Sequence, residues 1–263
     1  QLIQTISLGV FICLLTACLP AVKLDPARQS FREALVQTIT QENMTVDTKT
    51  SMAESGIVIF SGKNHMERNG EHAYMSGSMT TDGQTTDMEG VWIDGSVIYR
   101  IGDDYKSFKS SDAMMHNISK RGPKMADYII AKLLSDMPGV FAERSGIIAG
   151  FVQEDDIPAD WNKMMNTMLS SSNERLEKEN LSEAGILEFP IVSNARLLSM
   201  TYIFELKNDI VIDTSIALVI AGTDKIGAER ILELDYTAVI SHIGFTTPAS
   251  LDTEGKTVIP VKH

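Results

Sequence analysis

The sequence predicts an α+β fold, a curved antiparallel sheet in the form of a half-open barrel with helices packed on its apolar face. Three observations carry this. Turn dipeptides recur at near-regular intervals between stretches of period-two alternation, two stretches with helical period interrupt the strands, and no linker rich in Pro, Gly or Ser divides the halves.

The order of elements is helix, meander, two helices, meander. Asp25-Pro26 starts a helix as N-cap and first helical residue, and Phe31, Leu35 and Ile39 then recur at helical spacing. From about Thr45 to Phe108 the pattern is that of strands. Asn69-Gly70, Asp82-Gly83 and Asp94-Gly95 accept the positive φ angles of tight hairpins. Between them Ala73, Met75, Gly77 and Met79 alternate with His72, Tyr74, Ser76 and Ser78. Met88, Gly90 and Trp92 oppose Asp87 and Glu89. That is a meander with one wet face.

After Pro123, Met125, Tyr128, Ile129, Lys132 and Leu133 share one helical face. After Pro158, Trp161, Met164, Met165, Met168 and Leu169 do the same. In the last third, Met200, Tyr202, Phe204 and Leu206 alternate with polar or smaller residues. Ile210, Ile212, Ile216, Leu218 and Ile220 form another apolar face, and Leu232, Leu234, Tyr236, Ala238 and Ile240 a third. Segment 174–192 is expected to add strand, and the chain after Ile243, with Pro248 and Pro260, to fray.

The first 22 residues carry no charge. Ile6 to Leu15 has the length of a signal-peptide apolar core rather than of a membrane span. A signal peptide begins with Met and basic residues, so the true start is expected to precede Gln1. Leu15-Thr16-Ala17-Cys18 follows, and it resembles the lipobox of bacterial lipoproteins. The resemblance implies acylation of the Cys18 sulfur and cleavage before it. The alternative is an uncleaved transmembrane helix with an incidental Cys. The expected organisation is a signal peptide over 1–17, the lipidated Cys and a short tether over 18–24, one domain over 25–245 and a C-terminal tail over 246–263. The expected location is the cell envelope, on the extracytoplasmic face of a bacterial membrane, held by the lipid anchor.

A lipobox, a first helix, hairpins, a central helical pair and further strands, over roughly residues 25 to 245, look like the LolA/LolB superfamily and are similar to the mycobacterial LppX and LprG lipoproteins. The resemblance implies a half-open barrel closed by helices, with acyl chains in an apolar cavity.

The net charge of -12 and the absence of a basic cluster argue against nucleic acid as a partner. The only cysteines are Cys13 and Cys18, which excludes disulfides, thiolate metal sites and cysteine nucleophiles from the rest of the chain. His65, His72, His116 and His242 have no metal-ligand spacing, and no zinc site is read. Ser145-Gly146 follows Arg144 and is no nucleophile elbow. Gly102-Asp103-Asp104 and Glu154-Asp155-Asp156 read as solvated turns or helix starts rather than calcium loops. No cofactor and no catalytic residue is expected.

The 14 methionines are the most suggestive feature. Flexible, polarizable thioethers suit a cavity that adapts to varied acyl chains, and they equally suit an ordinary pliable core. The expected function is therefore binding or carriage of a lipid or other apolar ligand between sheet and helices. The expected wall residues are Met75, Met79, Met88, Trp92, Trp161, Met165, Met168, Tyr202 and Phe204. The alternative is a structural or sensory envelope lipoprotein that acts through protein contacts and holds no cargo. Such a protein would expose an apolar patch or an open sheet edge.

Overall fold

The computed structural model describes residues 24–93, 96–109, 140–157, 159, 161–163, 165–167 and 189–260. Cys18, Met164, Met168, the Asp94-Gly95 turn, the helical stretch expected after Pro123 and residues 174–188 lie outside them.

The first helix, α1 (Pro26–Ile39), begins where the local chemistry dictates. The Asp25 carboxylate accepts the Arg28 backbone N–H at 2.9 Å and also takes the Arg28 guanidinium, while Pro26 opens the first turn without needing a donor. Twelve strands follow: β1 (Asn43–Glu54), β2 (Ile57–Asn69), β3 (His72–Thr81), β4 (Gln84–Ile93), β5 (Ser96–Ile101), β6 (Asp104–Lys109), β7 (Val140–Arg144), β8 (Ile147–Gln153), β9 (Ser193–Lys207), β10 (Ile210–Thr223), β11 (Glu229–Ser241) and β12 (Val258–Pro260). They form one sheet in the order β12-β6-β5-β4-β3-β2-β1-β11-β10-β9-β8-β7. All neighbours are antiparallel except β12, which lies parallel to β6. The sheet is open, with β12 and β7 at its edges.

The turns follow their residues. Asp82 and Gly83 both have positive φ, 51° and 76°, which matches the right-handed strand twist of a two-residue hairpin. At the first expected turn, Asn69 pairs with His72, so Gly70 and Glu71 form the bend and Asn69 ends the strand. The sequence reading passes over the hairpin β7–β8, whose turn is Ser145-Gly146 with φ of 54° and 79°. The run Ile147 to Val152 is apolar on both faces, which conceals a period of two.

The C-terminal stretch does not fray. Asn43 clamps it, donating from Nδ2 to the Thr246 carbonyl at 2.9 Å and accepting the Thr246 N–H at 2.5 Å. The Thr45 and Thr246 hydroxyls, both on buried residues, lie 3.0 Å apart. Ala249 N–H then donates to Glu67 Oε2 at 2.8 Å, and the chain reaches β6 as β12. Residues 189–192 lead into β9 without strand structure.

Helix α1 packs on one face of the sheet at the β7–β10 end. The Phe31 ring lies 4.1 Å from that of Phe204, and the Thr38 hydroxyl accepts the Val211 N–H at 2.9 Å while donating to the Ala34 carbonyl. Phe31, Ile148, Val152, Met200, Tyr202, Phe204, Ile220 and Leu232 are buried together here. Removing a side chain of this size from water stabilises the fold by ~1.5–3 kcal/mol. Among the described residues no helix is long and apolar enough to cross a membrane.

Candidate ligand-binding face

Residues paired across neighbouring strands project from the same side of a sheet, so the register defines faces. Three rows cross β2, β3, β4 and β5. They are Arg68-Ala73-Trp92-Val97, Met66-Met75-Gly90-Tyr99 and Asn64-Gly77-Met88-Ile101. Gly62, Met79 and Thr86 make a fourth row, and Phe60, Thr81 and Gln84 a fifth. The same side continues through Met52↔Leu234, Leu234↔Leu218 and Leu218↔Met200 to Ile216↔Tyr202 and Thr214↔Phe204. Every methionine in the described strands lies on this side: Met44, Met52, Met66, Met75, Met79, Met88 and Met200.

The two halves of the face differ. Over β7–β10 α1 packs on it, and Met200, Tyr202 and Phe204 are buried. Over β2–β4, Met66 and Met79 are half-buried and Met75 is 38% exposed, while Met88 is buried. Glycines stand next to methionines here, Gly77 between Asn64 and Met88 and Gly90 between Met75 and Tyr99.

Of the expected wall residues, Met75, Met79, Met88 and Trp92 are brought together on the β3–β4 part of the face. Tyr202 and Phe204 share its side but stand in the core under α1. Tyr202 is fully buried, its ring lying against Gly150, where an added Cβ would meet Tyr202 Oη at 2.0 Å. Met165 packs against the core cluster from the helical residues 161–163 and 165–167, which dock through two asparagines. Asn166 accepts the Ala195 N–H at 2.7 Å and donates to the Ala195 carbonyl at 2.6 Å; Asn162 accepts the Leu197 N–H at 3.0 Å. These amides bond β9 beyond the end of its pairing with β8 at Gln153↔Ser199, and Trp161, one residue before Asn162, is half-buried. Met44, Met52, Met66, Arg68 and Tyr99 also belong to the face, and sequence reasoning missed them.

Among the described residues, three buried polar atoms on this face lack a hydrogen-bond partner: Thr81 Oγ1, Trp92 Nε1 and Tyr202 Oη. Burial pushes the Tyr202 hydroxyl up to about 12. At the rim, Arg68 is half-buried, and burial lowers its pKa against the pull of Glu42. Its Nε donates to the Gly70 carbonyl at 3.3 Å, and no described carboxylate reaches ion-pair distance.

The opposite side of the same strands is largely polar, although Val91 is buried there. Glu89 takes the Tyr74 hydroxyl at 3.0 Å and the Arg100 guanidinium at 3.0 and 3.2 Å. His65 stands between Asp47 at 2.8 Å and Glu67 at 3.2 Å, and the hydrogen bond to Asp47 does most to raise its pKa. Further along that side, Ile147, Phe151 and Ile203 are exposed beside the edge strand β7. Among the described residues no group of three or more His, Cys, Asp or Glu is placed to hold a metal ion.

No protein-family model matches the chain, and no curated protein does. Among solved structures it is similar to Rv2717c from M. tuberculosis, with 8% identity over 81% of this chain and 98% of that one, at a TM-score of 0.23. An S-type phycobiliprotein lyase from Guillardia theta has 6% identity over 83% and 98%, at 0.25. A LolA superfamily protein from Nitrosomonas europaea has 10% identity over 90% and 98%, at 0.17. Scores this low carry no argument about fold or function.

Proposed function

We propose that this protein binds an apolar ligand of acyl-chain type on the methionine-rich side of its sheet, over β2–β4, and that it does so without catalysis. The placement of all seven strand methionines on one side is the observation that carries the reading. A core needs no such sorting, since Leu, Ile and Val fill it with less loss of rotamer freedom. A surface that must conform to a flexible chain gains from unbranched thioethers. The partial exposure of Met66, Met75 and Met79 supports the same reading, because the face ends in half-covered apolar groups rather than in a closed core.

The protein is further proposed to sit in the cell envelope, tied to a membrane by acylation of Cys18. The Leu15 to Cys18 motif behind an uncharged apolar segment supports this. A Cys18→Ser variant should then lose incorporated radiolabelled palmitate and leave the membrane fraction. Label retained by the variant would end the anchoring proposal.

The ligand proposal is tested by purifying the full chain from its host and analysing an organic extract by mass spectrometry. A Met75→Glu/Met79→Glu variant is processed in parallel. Acyl lipid near one mole per mole is expected with the wild type and a loss of most of it with the variant. Equal lipid on both would show that it is held elsewhere.

A second reading is contact with another protein through the opposite side of the sheet. It is supported by the exposed Ile147, Phe151 and Ile203 next to the edge strand β7. A photo-crosslinker at position 151 would recover one defined partner if it holds, and diffuse products if it does not.

A further inference from the structure

An apolar face alone would accept any greasy molecule, but the rim row of this one is not apolar. Arg68, Ala73 and Trp92 are register partners on three consecutive strands. Arg68 and Trp92 are therefore about 10 Å apart along the sheet, across the small Ala73. Their side chains are long enough to converge over Ala73, which is itself buried. Arg68 is half-buried and, among the described residues, bonds only its own turn, through Nε to the Gly70 carbonyl. The carboxylate whose charge it feels, Glu42, is exposed and not at ion-pair distance. The Trp92 indole N–H is a buried donor without an acceptor. A cation without a bonded counterion among the described residues and an orphan donor two strands away in the same row leave the same complement missing: an anionic acceptor.

Behind the rim the rows carry methionines, with Asn64 as a polar member. Met66 and Met75 form the next row, Met88 the one beyond and Met79 the one after that. Each row is two residues further along the strands, so rim to Met79 is roughly 20 Å, the reach of a long acyl chain. We infer that the ligand is an anionic amphiphile, its charged head held at the rim by the Arg68 guanidinium and the Trp92 indole N–H and its acyl chain laid along Met66, Met75, Met88 and Met79. This rests on the proposed ligand face and adds the identity and orientation of the head.

The test uses the full chain in equilibrium dialysis against two probes with one tail, oleate and oleyl alcohol. The wild type should prefer oleate at least tenfold. Arg68→Glu should cut oleate affinity at least tenfold and change oleyl alcohol less than twofold, so that the neutral probe also reports an intact fold. Arg68→Lys should retain most oleate binding, and Trp92→Phe should lose several-fold for oleate alone. If Arg68→Glu does not fold, Arg68→Gln reads the loss of charge. Equal wild-type affinity for the two probes, or a parallel loss of both in a folded Arg68 variant, overturns the inference while leaving the apolar face standing. Binding of neither probe overturns the face itself.

Discussion

Removing one oxygen from the centre of the protein should make it more stable. Tyr202 is fully buried, its Oη has no hydrogen-bond partner, and burial drives its ionisation up to about 12. A hydroxyl taken from water and left unpaired costs ~1–3 kcal/mol. Tyr202→Phe removes that cost and keeps the ring contacts, 4.9 Å to Phe141 and 5.8 Å to Phe204. Against this stands a void of one oxygen atom, a few tenths of a kcal/mol at ~24 cal/mol per Å³. The balance favours the variant by ~1 kcal/mol, or roughly 2–4 °C in Tm for a domain of this size. Urea unfolding followed by tryptophan fluorescence reads the midpoint, and an unchanged slope confirms that only stability moved. A variant destabilised by 1 kcal/mol or more would mean that Oη has a partner, and the account of a solid core under α1 would fail.

Gly150→Ala should destabilise by ~1–3 kcal/mol, because its Cβ would overlap the Tyr202 ring, and Tyr202→Leu should restore most of that in a double-mutant cycle. Asn166→Ala strips partners from both the N–H and the carbonyl of buried Ala195 and should cost ~2–3 kcal/mol in the same urea assay, whereas Asn166→Asp should keep the contact to the N–H and cost less. His65 has a raised folded pKa, through Asp47 first and Glu67 next, so its contribution is complete below the ordinary value of about 6.5 and is lost as pH rises through the folded value. Thermal melts should therefore show a small decline in stability across that interval. The decline should be smaller in His65→Gln, and an identical slope in both would remove His65 from the account.

The sheet was legible where both signals agreed. Asp82-Gly83 stands between alternating runs, and both its residues take the positive φ that such a turn requires. The faces followed as well, since Met75, Met79, Met88 and Trp92 share a side as their spacing implies. The hairpin at Ser145-Gly146 was hidden because β8 is apolar on both sides, and a strand without contrast has no readable period. Met66 and Arg68 were hidden for the opposite reason, since Asn64 and Arg68 are polar residues on the apolar side of β2. The turn could have found them: counting back from Gly70-Glu71 sets Arg68 opposite Ala73 and Met66 opposite Met75. The C-terminal return to β6 left no local signal, because three residues of β12 and two asparagine hydrogen bonds are tertiary facts. Burial of Tyr202 and Phe204 under α1 likewise depends on which part of a continuous apolar side the helix covers.

A ligand face on β2–β4 requires the filled and the half-covered parts of one methionine face to differ in their response to ligand. With 13C-methyl methionine in the full chain, each methyl resonance can be assigned by single substitution and followed by NMR as oleyl alcohol is added. Saturable shifts confined to Met66, Met75, Met79 and Met88, with Met52 and Met200 unmoved, are expected. Methyls that all stay in place, or that move equally on both halves, would contradict a ligand face on β2–β4.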